Sequence, residues 1–184
     1  AELSTVDIAA ELQKVGGGLG AGVDPDRLIV SGNGLVTGLD RILELLGEML
    51  SGAVYPADEV AAERDRLADG IQMAQSQPLH LARVALLQRM YGKHPYAVQT
   101  PEVAQVQAVR PAQLRALHAE RLHPAGALLV LVGDITPEKA LDTAERVLGT
   151  WNGGGKQVDL PRTPPIEPGP LTLVDRPGSV QSSL

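Results

Sequence analysis

Residues 63 and 70 lie seven positions apart in a stretch with helical character, a spacing at which two carboxylates could serve one site. At about 100° per residue they stand almost over one another, two turns apart. Glu63 is a carboxylate, but position 70 is Gly70, which has no side chain to offer. Asp69 is adjacent, yet a one-residue step turns it about 100° around the helix, so it could replace a residue-70 ligand only through a change of register. The four histidines, His80, His94, His118 and His123, include no pair at the three- or four-residue spacing that lets two imidazoles hold one zinc on a helix. His118 and His123 come nearest. Five positions set them about 140° apart, and Pro124 ends the helix, so they read as surface or capping residues. His94, in KHPY, reads as part of a rigid loop. No GxSxG elbow is present, and Ser182 and Ser183 have no evident base. The absence of cysteine excludes a thiolate nucleophile, a disulfide and a Cys-type zinc site.

The stretch that carries Glu63 and Gly70 runs from Tyr55 to Pro78. Val60, Leu67, Ile71 and Ala74 form its expected apolar stripe, with Glu59, Glu63, Arg66 and Gly70 on another side. Pro56 suits the first turn, Asp58 and Glu59 complement the helix dipole, and Gln77-Pro78 ends the run.

Around this helix the chain reads as alternating helical and extended pieces. Ser4 or Thr5 caps a helix to about Val15. The run GGGLGAG, Gly16 to Gly22, fits neither phosphate-binding pattern and follows a helix; it reads as a helix stop and a short strand. A turn at Asp24-Pro25-Asp26 and a strand from Arg27 to Gly32 complete a hairpin. Leu39, Ile42, Leu43, Leu46, Met49 and Leu50 predict a helix from Thr37 to about Ser51. Another runs from Pro78 to about Tyr91, with Leu79, Leu81, Val84, Leu87 and Met90 near one side. Two proline-started helices follow the KHPYAVQTP loop, the second reaching about Leu122. GALLVLVGD, residues 126–134, is the strongest strand expectation, and Thr136-Pro137-Glu138 starts a helix that ends near Gly149. Trp151-Asn152 and a Gly/Pro-rich segment mark a boundary, after which LTLVDRPGSVQSSL alternates as a strand.

The 184 residues suffice for one good-sized domain and the start of another, and 43% hydrophobic with 21% charged residues is ordinary globular composition. A net charge of -6 without a basic cluster argues against nucleic acid. The longest apolar run, Ala125 to Val132, is far short of the roughly 20 residues that cross a bilayer. AELSTVD lacks the features of a signal peptide, so the expected compartment is the cytoplasm.

Taken in order, VGGGLGAGVDPDRLIVSGNGL, LDRILELLGEML, AERDRLADGIQMAQSQP, RMYGKHPYA and LLVLVGDITPEKALDTAERVLGTW resemble the insulinase, pitrilysin and mitochondrial processing peptidase family of zinc peptidases. The resemblance implies an α+β fold, a mixed β-sheet packed with helices. It implies a peptidase-like domain over 1–152, a linker over 153–170, and over 171–184 the first strand of a second homologous domain. In active members an HxxEH helix supplies two histidines and a general base, and the second of two glutamates seven positions apart completes the zinc site. HxxEH does not occur in these residues; Glu63 matches the first, supporting glutamate, and Gly70 stands where the ligand belongs. Glu63 and Gly70 are therefore vestigial site positions, with no catalytic residue, no metal ligand and no cofactor expected. The implied role is a non-catalytic subunit or domain that helps to bind extended peptide beside an active sibling subunit or within a homo-oligomer. The alternatives are an active zinc metallopeptidase with HxxEH upstream, the only case requiring zinc, and a structural scaffold like the core subunits of respiratory complexes.

Overall fold

The computed structural model describes residues 3–155, 159–175, 177–178 and 180. They form two compact units, residues 1–55 with 112–157 and residues 56–111 with 158–184.

In the first unit, α1 (Thr5–Lys14) begins with a reciprocal cap: the Ser4 hydroxyl accepts the Asp7 amide hydrogen at 3.2 Å, and the Asp7 carboxylate accepts that of Ser4 at 3.1 Å. Two amide donors that the first turn leaves over are satisfied in this way. Strands β1 (Gly18–Val23) and β2 (Leu28–Asn33) pair antiparallel, Gly18 opposite Asn33 and Val23 opposite Leu28. A short 3-10 turn, Val36–Gly38, leads into α2 (Leu39–Gly52). Gly38 permits this entry, because a Cβ there would lie 2.5 Å from the Cβ of Val15. The core joins Leu12 of α1 to Ile42 and Leu45 of α2, with Leu3, Ile8, Val15 and Leu19 packed against it. Arg41 of α2 donates to Glu11 of α1 at 3.0 Å. Helix α7 (Pro137–Leu148), capped by Thr136, packs on α2, and its Arg146 donates to Asp40 at 2.8 Å.

Helix α6 (Pro111–Arg121) secures the far end of α2, where the last carbonyls have no partner within the helix. His118 Nε2 lies 2.8 Å from the Leu50 carbonyl, and Arg115 donates to the Val54 carbonyl at 3.1 Å. A carbonyl can only accept, so Nε2 carries the proton and Nδ1 accepts the Tyr55 hydroxyl at 2.8 Å. Tyr55 is held at φ 53°, an uncommon conformation for a residue with a side chain, and its ring meets the His118 imidazole edge to face. Burial raises the Tyr55 phenol above its ordinary pKa.

The second unit is built on α3 (Ala57–Gln75), against which α5 (Val103–Ala108) and α4 (Pro78–Tyr91) pack. Arg64 reaches from α3 to donate to the carbonyls of Gln107 and Val109 at 3.3 and 3.0 Å, satisfying the end of α5. A 3-10 turn, Pro95–Ala97, follows α4.

The α+β class holds, with β1 and β2 as the sheet among the described residues. The expected strand at 126–134 does not form, because no neighbouring chain supplies a ladder: residues 128–132 make no backbone hydrogen bond among the described residues. Residues 171–175 likewise form no strand, and 176, 179 and 181–184 lie outside the described residues. Leu67 was expected in the α3 stripe but is 44% exposed; Val60 and Ile71 of that stripe are buried, and Ala68 joins them, since the packed face is centred toward Ala68. In α2 the most buried residue, Leu45 at 1% exposure, lies outside the expected repeat, because this helix is covered by the α1 and hairpin side and by α7. Helix α4 buries none of its residues fully. Among the described residues no helix is long and apolar enough to cross a membrane.

Candidate functional site

Helix α3 brings Glu63 and Gly70 to one exposed face, as their spacing requires. Glu63 is engaged there: Arg66, one turn on, donates Nε to Oε2 at 2.8 Å and Nη2 to Oε1. The Arg66 hydrogen bond, followed by its charge, holds the Glu63 carboxyl below its ordinary pKa of 4.5. The signal for this pair was present in the sequence as Glu and Arg three positions apart. Gly70 borders open space, with nothing within 4 Å of where a Cβ would stand. Asp69 is exposed.

Two of the four histidines, His94 and His118, are placed for structure. His94 is buried, with Nε2 donating to the Pro161 carbonyl at 2.8 Å and Nδ1 accepting the Tyr96 amide hydrogen at 3.2 Å, so it fastens the Pro-rich segment to the KHPY loop. His118 completes the end of α2, one of the two roles, surface or capping, read for it, although its bond to Tyr55 was not legible in the sequence. Among the described residues no three or more His, Asp or Glu side chains are grouped to hold a metal. The zinc that the family resemblance implies does not fit this helix face: Glu63 is bridged on both oxygens by a cation, and position 70 has no donor atom.

The hairpin and α2 form one wall and the floor of a second feature, a cavity of about 340 Å³ in the first unit. Val30 to Leu35 lie on one side, Leu129 to Ile135 on the other, and Leu39, Leu43 and Leu46 beneath.

This α+β arrangement is similar to that of a peptidase M16 inactive domain of known structure. Residues 108–184 match the family described as peptidase M16 inactive domain. An uncharacterized zinc protease of Mycobacterium tuberculosis is 27% identical over 179 residues, 94% of this chain and 40% of that protein. The crystal structure of a peptidase M16 inactive domain from Pseudomonas fluorescens superposes with a TM-score of 0.80 at 25% identity, over 88% of this chain and 40% of the other. A protease from Helicobacter pylori has the same fold, with a TM-score of 0.75 at 17% identity, over 89% of this chain and 40% of the other. The chain is thus similar to the peptidase M16 family, the family its motifs resemble, and it spans about 40% of the length of the curated relatives it matches.

Proposed function

We propose that this chain is a non-catalytic domain of an M16-type peptidase that holds extended peptide while a sibling domain or subunit supplies the zinc chemistry. The observation that carries the reading is the α3 face, where Glu63 is tied to Arg66 and Gly70 opens to solvent in place of a ligand. Three protein ligands and a water are what a catalytic zinc needs, and this face supplies neither the third ligand nor a histidine pair. A second reading is favoured by the name zinc protease carried by the mycobacterial relatives: an active enzyme whose HxxEH lies in other residues of a longer polypeptide.

Metal analysis of the full product of the open reading frame, purified without chelator, separates the two. The expected result is less than one zinc per chain and no peptide hydrolysis, with measurable anisotropy change for a fluorescein-labelled, unstructured peptide of about 15 residues. One tightly held zinc per chain, lost on Glu63→Ala or Asp69→Ala, would overturn the non-catalytic reading; no binding of the labelled peptide would overturn the holding role.

A further inference from the structure

The sequence holds two asparagines, Asn33 and Asn152, and a glycine follows each. That context is reactive for a simple reason. The side-chain carbonyl carbon stands one five-membered ring away from the next backbone nitrogen, and a glycine has no Cβ to crowd the approach. Attack still requires a nitrogen that is free of hydrogen bonds and a backbone able to bend until the two atoms meet.

The fold treats the two sites differently. Asn33 is the last residue of β2 and pairs opposite Gly18, and Gly34 beyond it is wedged: a Cβ there would collide with Ile42 Cδ1 and lie 3.2 Å from the Gly17 Cα. Asn152 and Gly153 are exposed and belong to no helix or strand, and the Gly153 amide donates no backbone hydrogen bond among the described residues. Gly153 also sits at φ 123°, a conformation that suits glycine alone.

Both flanks of this free bond are anchored. Trp151 donates its amide to the Leu148 carbonyl at 2.9 Å and its Nε1 to the Leu122 carbonyl at 3.4 Å. On the other side Gly155 lies against the ring of the half-buried His123, where a Cβ would collide with Nε2 and stand 3.0 Å from the Glu120 carbonyl oxygen. Nδ1 of that ring is buried without a hydrogen-bond partner.

We infer that Asn152-Gly153 is a site of spontaneous deamidation, and that its isoaspartyl product releases the glycine run from His123. The Gly153 nitrogen loses its proton to water and bonds to the Asn152 side-chain carbonyl carbon; the bond from that carbon to the side-chain nitrogen breaks, and ammonia leaves. Water then opens the succinimide. Addition at the former side-chain carbonyl gives aspartate, and addition at the main-chain carbonyl gives isoaspartate, so amide and water become acid and ammonia with no change of oxidation state. Isoaspartate routes the main chain through one additional methylene. Held by Trp151 on one side, the chain passes that displacement to Gly155, which has no room to shift against the imidazole.

The test incubates the folded product of the full open reading frame at mildly alkaline pH and maps its peptides by mass spectrometry over time. Asn152 should convert about tenfold or more faster than Asn33, the margin that a laddered segment confers, and the two rates should converge in urea. Asn152→Gln should abolish the conversion, because its longer side chain must close a larger ring. Equal rates in the folded protein, or an Asn152 that converts only in urea, would overturn the site. Diethyl pyrocarbonate then probes His123 in the separated products: carbethoxylation should be slow in the parent and the aspartyl form and faster in the isoaspartyl form. The same rate in all three would overturn the release.

Discussion

Replacing Gly70 by glutamate supplies the carboxylate that the family resemblance implies at this position, and its effect on stability is calculable from the surroundings. Glycine inside a helix is less favourable than a straight-chain residue by roughly 0.5 to 1 kcal/mol. Gly70 lies well inside α3, five residues before its last, so most of that difference is available. Nothing lies within 4 Å of the new Cβ, which removes the overpacking penalty of about 1 to 3 kcal/mol that a crowded site would impose. The new carboxylate stands four positions after Arg66, whose charge offsets repulsion from Glu63 and Asp69; an exposed pair at this spacing is worth about 0.2 to 0.5 kcal/mol. The sum is a gain of about 0.5 to 1 kcal/mol, or roughly 1 to 4 °C in the melting temperature of a chain this size. Thermal unfolding followed by circular dichroism at 222 nm measures it. A melting temperature several degrees below the parent would refute the open-face account, and zinc-dependent peptide cleavage by the variant would refute the claim that this helix face lacks the rest of a metal site.

Leu45→Ala should cost about 2 to 5 kcal/mol, because Leu45 is the most buried large side chain of the first unit; urea unfolding checks this, and a loss under 1 kcal/mol would contradict its central place. His118→Ala removes the groups that satisfy the Leu50 carbonyl and the Tyr55 hydroxyl, and should lower stability by about 1 to 3 kcal/mol, while Tyr55→Phe should cost less because His118 keeps its bond to Leu50. The depressed pKa of Glu63 makes its contribution fully present above 4.5 and lost as the pH falls through the lower folded value. Because the pair with Arg66 is exposed, that contribution is at most a few tenths of a kcal/mol, so Glu63→Gln should flatten the acid limb of the stability profile only slightly and high salt should erase the difference.

Local chemistry in the sequence determined much of this molecule. Pro78 and Pro137 start α4 and α7 where proline needs no amide partner, Ser4 and Thr136 cap their helices, and the Asp24-Pro25-Asp26 turn sets the hairpin. The identity of residue 70 was equally decisive, since no packing can give glycine a ligand atom. Tertiary structure decided what depends on partners distant in the chain. Leu45 rather than Met49 or Leu50 sits deepest because α2 is covered from more than one direction, which a single apolar stripe does not express. Leu67 is exposed because α5 and α4 fix which side of α3 is packed, and the apolar positions alone allowed a neighbouring choice. His118 and Arg64 serve helix ends 68 and 43 or more positions away, and no spacing rule connects such groups. The run 126–134 shows the limit most directly: its residues favour a strand, but a strand exists only where a second backbone accepts and donates its hydrogen bonds, and among the described residues that backbone is not there.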